Sequence, residues 1–339
     1  MSKAVFLCVG TGGHVLPVIN LIESMSNKGI DNTRILVVTD KRGFEYFKNK
    51  DYQIITYPFV SSKTGIKGYF LKILKLLISI FYLHKILRKH KPDFLFTTGS
   101  YVSPVAAIVS KLLNVDLYIQ EQNIYAGLGN KISAPFSKVV FTSFPNTLNI
   151  KINKIQFTGP VLNLNITDNT KFKMDKQLTV GFQGGSQGAK EVNEIAYKFI
   201  KDKKYKDINV IHIVGKKNKI INFDRDNYSA FSFIEDMQSY YNKINLQVSR
   251  SGGGILEAAY LNIKQFLVPY KYGTTSSHQR LNAEYLEGIN AAKIINNYEE
   301  FVHELDNEIE NINNLNKKSF NIISGNEIIS KILINELNK

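Results

Sequence analysis

Short apolar runs alternate with amphipathic stretches along the first half of the chain. Val5–Val9 is a continuous apolar run, and the residues from Leu16 to Asn27 have the pattern of a helix. Similar runs predict strands at Arg34–Thr39, Phe94–Thr97, Leu117–Gln120 and Val139–Phe141, with a helix at Pro104–Leu113. Strands that alternate with helices favour a parallel sheet. The first half therefore predicts a doubly wound α/β domain.

The same alternation begins again in the second half. It predicts strands at Leu178–Phe182, Val210–Val214, Leu246–Ser249 and Gln265–Val268. The segment between the halves, Asn153–Lys176, is polar and contains Gly159 and Pro160, as a linker would. We therefore expect two domains, 1–158 and 159–339, with a last helix that is free to pack back on the first domain.

Three glycine-rich turns each follow a predicted strand and precede a predicted helix. The first glycine turn is Gly10–Gly13, the second is Gly184–Ala189 and the third is Ser251–Gly254. Glycines let the backbone approach a ligand, and a helix start favours an anion or a sugar hydroxyl. A tight turn also needs glycine for structural reasons alone. The first turn lacks the third glycine of a dinucleotide fingerprint, and the second lacks the lysine of a P-loop.

The charge balance favours an anionic partner without choosing one. The chain carries 43 Lys and Arg against 29 Asp and Glu, a formal net charge of +14. Nucleic acid, acidic lipid headgroups, a phosphorylated ligand or simple compositional drift would each agree with this value. A nucleic-acid-binding protein should carry a basic stripe with stacking residues. The basic residues here are scattered, so we expect no nucleic-acid partner.

Cysteine content and hydropathy indicate the compartment in which the protein works. Cys8 is the single cysteine and lies in an apolar run, which predicts a buried thiol, no internal disulfide and a reducing compartment. The N-terminal segment has too short an apolar stretch for a secretory signal. No run of about 18 uncharged apolar residues occurs, so we expect no transmembrane helix.

A basic amphipathic stretch at Lys67–Lys91 predicts a helix at a membrane surface. Its apolar residues share one helical face and are Phe70, Leu71, Leu74, Leu77, Ile78 and Phe81. Its basic residues border that face and are Lys72, Lys75, His84, Lys85, Arg88 and Lys89. Such a pattern is typical of an interfacial helix near anionic lipids. A core helix beneath the first sheet is the alternative interpretation.

Seven motifs in one order resemble the MurG family. They are GTGGHVLP (10–17), SYVSP (100–104), EQN with AGLGNK (121–131), GGSQGA (184–189), FIEDM (233–237), SRSG (249–252) and HQRLNA (278–283). The resemblance spans about residues 5–295. It implies a GT-B fold, in which two Rossmann-like domains face an interdomain cleft. It also implies an inverting transferase that moves N-acetylglucosamine (GlcNAc) from UDP to the 4-hydroxyl of N-acetylmuramic acid (MurNAc) in undecaprenyl-pyrophosphoryl-MurNAc-pentapeptide.

The resemblance also implies a substrate site and a location. Ser186 would lie near the diphosphate, Ile234 against uracil and Gln279 near the GlcNAc hydroxyls. The remaining implied donor contacts are Thr11, Gly12, Gly13, Asn123, Gly253, Gly254, Ile255, Leu256 and Glu257. Glu257 would accept the ribose hydroxyls, although a carboxylate there also suits a helix start. The family works at the cytoplasmic membrane face as a peripheral enzyme, with UDP-GlcNAc and the lipid-linked acceptor as partners and no cofactor.

Sugar transfer needs a base near the acceptor hydroxyl. His14 is the first candidate because its ordinary pKa of about 6.5 suits proton uptake near neutral pH. Glu121 is a rival base, and Tyr101 would orient the acceptor. We expect no metal. Asp224 and Asp226 resemble a D-x-D motif, but their polar surroundings favour a surface loop.

The sequence departs from the family pattern at several positions. Val9 replaces a glycine, Gln120 replaces a histidine, Leu162 replaces an arginine that helps to hold the donor phosphates, and the loop from Arg250 to Glu257 is one residue shorter. These changes concern donor affinity and leave two alternatives open. One is another GT-B transferase that uses a UDP-sugar and a different acceptor, and the other is a catalytically degenerate scaffold.

Overall fold

The structure, a computed structural model, describes residues 3–57, 66–163, 178–270, 275–310 and 319–339. The chain divides into two compact units. The first unit comprises Met1–Leu164 and Ser324–Lys339, and the second comprises Asn165–Ile323. Each unit has its own parallel sheet and its own core, so the prediction of two α/β halves is confirmed.

The first unit contains seven parallel strands. They are β1 (Ala4–Leu7), β2 (Ile35–Thr39), β3 (Gln53–Thr56), β4 (Phe94–Thr97), β5 (Asp116–Glu121), β6 (Val139–Thr142) and β7 (Ile155–Phe157). Their order in the sheet is β3-β2-β1-β4-β5-β6-β7. Successive β1 residues enter opposite cores, with Val5 and Leu7 on one face and Ala4 and Phe6 on the other. A strand buried on both faces needs a continuous apolar run, which is why the sequence pattern found it.

Six α-helices of the first unit lie within the described residues. They are α1 (Gly12–Ser26), α2 (Lys41–Phe44), α3 (Ile66–His90), α4 (Ser103–Leu113), α5 (Leu128–Ser133) and, after the second unit, α11 (Asn326–Leu337). Residues of α3 and α4 share a core cluster on one face of the sheet, and residues of α1 and α11 share the cluster on the other. Cys8 is completely buried in the second of these clusters, as predicted for an inert thiol.

The C-terminal helix α11 is part of the first core. Ile329, Leu333 and Leu337 are buried against the α1 side of the sheet. Asn326 also binds the backbone after β7, because its side chain accepts from the N–H of Leu162 and donates to its carbonyl, both at 2.8 Å. These contacts place residues 159–164 with the first unit, whereas the sequence pattern assigned them to the second domain.

The second unit repeats the architecture with six parallel strands. They are β8 (Thr179–Gln183), β9 (Asn209–Ile213), β10 (Tyr228–Phe231), β11 (Leu246–Ser249), β12 (Lys264–Leu267) and β13 (Ala292–Ile294), in the order β10-β9-β8-β11-β12-β13. Its helices are α6 (Lys190–Lys201), α7 (Met237–Tyr241), α8 (Gly254–Tyr260), α9 (Thr275–Gly288) and α10 (Tyr298–Glu310). Phe182, Phe199 and Phe301 form the centre of its aromatic core.

A completely buried histidine lies within this second core. The Nε2 of His212 bonds to Asn193 Oδ1 at 3.0 Å, and its Nδ1 bonds to the Tyr228 hydroxyl at 3.3 Å. Asn193 donates its own amide to the carbonyl of Val214, so its oxygen faces the ring. Because an amide oxygen accepts hydrogen bonds, Nε2 carries the proton, and His212 is in the neutral Nε2–H tautomer. Burial lowers the pKa of His212 to about 4.

This histidine should make the second unit sensitive to acid. Between pH 6.5 and 4, His212 is protonated in the unfolded chain and neutral in the folded chain. As the pH is lowered through this interval, the free energy of unfolding therefore decreases by up to about 3 kcal/mol. Urea unfolding at pH 7.5 and 5.0 should detect about 2 kcal/mol of this loss. His212→Gln keeps one donor and one acceptor without titrating, and should lose less stability over the same interval. An equal loss in both proteins would contradict the prediction.

Candidate active site

Both sheets reverse their strand order at one point, and the glycine turns lie at these two points. In the first unit the reversal falls between β1 and β4, which are neighbours in the sheet. The first glycine turn follows β1, and residues 98–101 follow β4. Open α/β sheets bind ligands outside the carboxyl ends of the strands at such switch points. The first unit therefore has a candidate site around Gly10–His14 and Tyr101.

The geometry of His14 suits a general base. Its Nδ1 lies 3.1 Å from the carbonyl oxygen of Thr98, and the Thr98 hydroxyl donates to the carbonyl of His14 at 2.7 Å. A carbonyl only accepts hydrogen bonds, so Nδ1 must carry the proton. Nε2 is then the basic nitrogen, and the ring is partly exposed. The loop after β4 thus fixes both the tautomer and the orientation of the His14 ring.

Asp40, at the end of β2, holds the first glycine turn in place. Its buried Oδ1 accepts from the backbone N–H of Gly10 at 2.9 Å and of Gly43 at 2.8 Å. Gly10 has a φ of +96°, which a residue with a side chain rarely adopts. The N–H of Gly12 donates to the Tyr46 hydroxyl at 3.1 Å. Thr11 and Gly13 are exposed beside these fixed points.

Tyr101 is connected to Asp40 through the guanidinium of Arg42. Arg42 pairs with Asp40 at 3.3 Å and also hydrogen-bonds the Tyr101 hydroxyl. Burial, the largest cause, raises the pKa of Tyr101 to about 12, so the phenol keeps its proton at neutral pH. About a third of the side chain is exposed, 37%. Tyr101 therefore has the position and the protonation state to contact a ligand beside His14.

Glu121 has a different environment from His14. Its Oε1 accepts from the backbone and side-chain nitrogens of Asn123, at 2.9 and 3.2 Å. Its Oε2 accepts from the N–H of Gly127 at 3.1 Å and from Asn130 Nδ2 at 2.8 Å. Both oxygens of this buried carboxylate thus have two donors each. The sequence left Glu121 as a rival base, and the geometry favours a role in holding Asn123 and the following loop.

In the second unit the switch point falls between β8 and β11. The second glycine turn follows β8 and the third follows β11. The second turn interlocks with the turn after β9, because a Cβ on Gly188 would lie 2.1 Å from the carbonyl oxygen of Val214, and one on Gly215 would lie 2.1 Å from the Gly188 nitrogen. The N–H of Lys216 donates to the carbonyl of Ser186 at 3.0 Å. Ser186 therefore lies in a rigid, partly exposed turn.

The third glycine turn contributes backbone and one carboxylate. Gly253 and Gly254 are accessible, whereas the side chains of Ile255 and Leu256 are buried. Any ligand contact at Ile255 or Leu256 is therefore a backbone contact. Glu257 is partly exposed, and its Oε2 lies 3.2 Å from the hydroxyl of Tyr241. Burial raises the pKa of Glu257 to about 7, and the hydrogen bond from Tyr241 opposes that rise.

Ile234 and Gln279 lie near the same edge of the second sheet. Ile234 packs against the hydrophobic cluster that includes Tyr240 and Tyr241. Gln279, on α9, accepts from the N–H of Tyr270, which follows β12, at 3.0 Å. The structure thus places the carboxyl ends of β11 and β12 beside the segments that carry Ile234, Glu257 and Gln279.

Arg250 is a structural residue of this site that the sequence pattern did not single out. Its guanidinium donates to the carbonyls of Val268 and Pro269 at 3.0 and 3.3 Å and pairs with Glu191 on α6. It therefore joins the third turn, the end of β12 and the helix that follows the second turn. The SRSG motif contained the residue, but nothing in its spacing indicated these partners.

Three of the four departures from the family pattern, those at Val9, Gln120 and Leu162, are buried positions. Val9 is completely buried in the first core. Gln120 is also buried, and its amide donates to Ser143 at 2.9 Å. Leu162 is buried against Asn326, so this position supplies packing and no positive charge to a ligand.

The D-x-D segment has a structural explanation as well. Arg225, between Asp224 and Asp226, donates to the backbone carbonyls of Ile200 and Tyr205 at 3.2 and 2.8 Å. Across the described ranges, no three His, Cys, Asp or Glu side chains are grouped as metal ligands. Within the same ranges, no helix is long and apolar enough to cross a bilayer.

Two parallel α/β units with glycine turns at both switch points define the GT-B class of glycosyltransferase fold. Comparison with solved structures agrees. Acinetobacter baumannii MurG aligns with 98% of this chain and 99% of its own at a TM-score of 0.74 and 23% identity. A Methanocaldococcus jannaschii UDP-GlcNAc 2-epimerase, crystallised with UDP-GlcNAc and UDP, aligns with 98% and 100% at a TM-score of 0.63 and 16% identity. The fold is thus shared by transferases and epimerases.

Sequence comparison resolves the class further. The glycosyltransferase family 28 N-terminal domain matches residues 4–142, and the C-terminal domain of that family matches residues 179–332. A Sulfurihydrogenibium sp. relative is 31% identical over 305 residues, covering 87% of this chain and 85% of its own. A Thermosipho melanesiensis relative is 30% identical over 336 residues, covering 97% of each. Both are UDP-N-acetylglucosamine–N-acetylmuramyl-(pentapeptide) pyrophosphoryl-undecaprenol N-acetylglucosamine transferases. The chain therefore belongs to this MurG family, and it is a glycosyltransferase.

Proposed function

We propose that the protein transfers GlcNAc from UDP-GlcNAc to the 4-hydroxyl of MurNAc in undecaprenyl-pyrophosphoryl-MurNAc-pentapeptide. The observation that carries this proposal is the match, over nearly the whole chain, to relatives named for this reaction. The epimerases share only the fold, at 16% identity or less in the two archaeal structures. The arrangement of His14 supports a transferase because transfer to a hydroxyl requires a base.

In the proposed mechanism, Nε2 of His14 removes the proton of the acceptor hydroxyl. The oxygen then attacks the anomeric carbon of GlcNAc, and the bond to the UDP phosphate oxygen breaks with inversion. Thr98 stabilises the resulting imidazolium because its carbonyl accepts from Nδ1. Tyr101, a protonated phenol, orients the acceptor, and Thr11, Gly12, Gly13 and Asn123 line the same edge.

The second unit holds the donor in this proposal. Ser186 and the N–H groups at the start of α6 stabilise the diphosphate, where charge accumulates as the bond breaks. Ile234 packs on uracil, Gln279 contacts the GlcNAc hydroxyls, and Glu257 accepts the ribose hydroxyls. The backbone of Gly253–Leu256 completes the contacts. Because Leu162 supplies no positive charge, we expect a weaker grip on the diphosphate than an arginine there would give.

Helix α3 supports an association with an anionic membrane surface at the cytoplasmic face. Leu83, Ile86 and Leu87 pack in the first core, while the opposite face exposes Leu77 by 57% and Phe81 by 68%. One face of this helix therefore packs in the core, and the opposite face is available for a membrane surface. The same exposed face continues with Lys85, Arg88 and Lys89. The side chains of Phe70, Leu71 and Lys72, which the sequence assigned to this surface, lie outside those described.

Replacing Leu77 and Phe81 with serine should weaken binding to vesicles that contain phosphatidylglycerol. Loss of apolar burial worth roughly 1.4 kcal/mol or more lowers the partition constant about tenfold. Vesicle flotation measures the bound fraction. Ile220→Ser with Ile221→Ser is the matched control, because these side chains of the second unit are exposed by 43% and 47%. Equal binding by the wild type and the Leu77/Phe81 variant would remove α3 from the proposal.

The reaction itself is tested by UDP release with purified substrates. The wild type should release UDP from UDP-GlcNAc when the lipid-linked muramoyl-pentapeptide is present, and the product should contain labelled GlcNAc. Turnover only with another UDP-sugar or another acceptor would identify a different transferase of this fold. Binding of UDP without turnover on any acceptor would identify a degenerate scaffold.

A further inference from the structure

A buried tyrosine contacts the carboxylate assigned to ribose. Tyr241 ends α7 and is completely buried. Its hydroxyl lies 3.2 Å from Oε2 of Glu257 and 3.3 Å from the carbonyl oxygen of Gly254. Helix α7 directly follows the segment that carries Ile234. One side chain therefore connects the proposed uracil segment with the third glycine turn.

The hydroxyl has a single proton and two acceptors within reach, so its bonding depends on the charge of Glu257. When Glu257 is ionised, the phenol donates to the carboxylate. When Glu257 is protonated, the carboxyl group donates to the phenol oxygen, and the phenol donates to the carbonyl of Gly254. Only the first arrangement leaves a carboxylate that accepts from two sugar hydroxyls.

The surroundings of Glu257 allow both its ionised and its protonated form near neutral pH. Burial raises the pKa of Glu257 to about 7, and the bond from Tyr241 lowers it. Burial also raises the pKa of Tyr241 far above its ordinary value, with the charge of Glu257 and the neighbouring Tyr240 adding to the effect. The phenol is therefore a constant donor. Within the described ranges, Tyr241 is the titratable group that acts on this carboxyl group, and Tyr240 acts on Tyr241.

We propose that Tyr241 is a positioning residue for nucleotide recognition, which keeps Glu257 ionised and oriented to accept both ribose hydroxyls. This inference rests on the proposed function, because it takes a uridine diphosphate as the ligand of the second unit. It implies that the preference for ribose over 2′-deoxyribose depends on the Tyr241 hydroxyl, although that hydroxyl does not touch the sugar.

The test compares UDP with 2′-deoxy-UDP on the full-length chain. Calorimetry gives both dissociation constants from pH 6 to 9 for the wild type and Tyr241→Phe. The two ligands share the same diphosphate titration, so the ratio of their constants isolates the ribose contact. In the wild type the preference for UDP should grow as the pH rises through about 7. In Tyr241→Phe this rise should move to higher pH, and the preference at pH 7.5 should fall several-fold while 2′-deoxy-UDP binds as before.

Two further variants separate positioning from packing. Tyr240 is also buried, and its hydroxyl has no hydrogen-bond partner among the described residues, so Tyr240→Phe should match the wild type throughout. Glu257→Gln should abolish the pH dependence of the ratio, with or without Tyr241→Phe. For turnover, Tyr241→Phe should raise the KM for UDP-GlcNAc and leave kcat nearly unchanged.

The possible outcomes are distinct. A wild-type ratio and pH profile in Tyr241→Phe would overturn the inference and leave the proposed function standing. Equal weakening of both ligands would overturn it as well, because that result indicates a packing defect alone. Failure of the wild type to bind UDP at all would overturn the proposed function and this inference with it.

Discussion

Replacing His14 with alanine is expected to lower kcat by roughly 10²–10⁴-fold, the usual contribution of a general base. The affinities for both substrates should change little, because Nε2 acts only on the proton that leaves the acceptor hydroxyl. The fold of the first glycine turn depends on Asp40 and not on the His14 ring. A radiolabelled UDP-GlcNAc assay with the lipid-linked acceptor measures this loss.

Controls distinguish His14 from Glu121. Added imidazole should restore part of the rate in His14→Ala, because it supplies the missing nitrogen. Glu121→Gln should instead disturb Asn123, because an amide in place of the carboxylate meets N–H donors on both sides. His303→Ala, an exposed position on α10, should retain the wild-type rate. If His14→Ala turned over within a few-fold of the wild type, another group would have to be the base.

Leu333→Ala should destabilise the first unit by about 2–5 kcal/mol, the range for removing a fully buried leucine side chain. Leu333 is completely buried beside Ile329 in the core that α11 shares with α1. Differential scanning calorimetry measures the effect, and the transition of the second unit should stay in place because the core clusters described for that unit contain no residue of α11.

Lys331→Ala is the matched control on the same helix. Lys331 is exposed, so this change should alter the unfolding free energy by no more than about 0.5 kcal/mol. A loss of stability in Leu333→Ala no larger than in Lys331→Ala would show that α11 contributes little to the first core.

The sequence predicted interior strands and missed those at the edges. The interior strands β1, β4, β8 and β11 are buried along their whole length or nearly so, which requires a continuous apolar run. The strands that the pattern missed are β3, β7, β10 and β13, and each lies at an edge of its sheet. An edge strand has one neighbour and is partly exposed, so its residues carry a weaker pattern.

The local geometry of the candidate site was predictable where glycine marks a turn and less so where distant side chains meet. Strand-to-helix turns indicated Gly10–Gly13 and Gly184–Ala189 directly. The contact of Tyr241 with Glu257 spans 16 residues, and that of Arg250 with Glu191 spans 59. No local spacing encodes such contacts, because they depend on which strands become neighbours. The tautomer of His14 is a similar case, since Thr98 lies 84 residues away.

The discontinuity of the first unit affects the order of events during synthesis. The ribosome completes Asn165–Ile323 before it makes the segment that supplies Ile329, Leu333 and Leu337. The side of the first sheet that carries α1 therefore lacks the packing of α11 while the second unit is being made. A released chain truncated after Ile323 should thus display a native second unit and a protease-sensitive first one, and adding Ser324–Lys339 should remove that sensitivity.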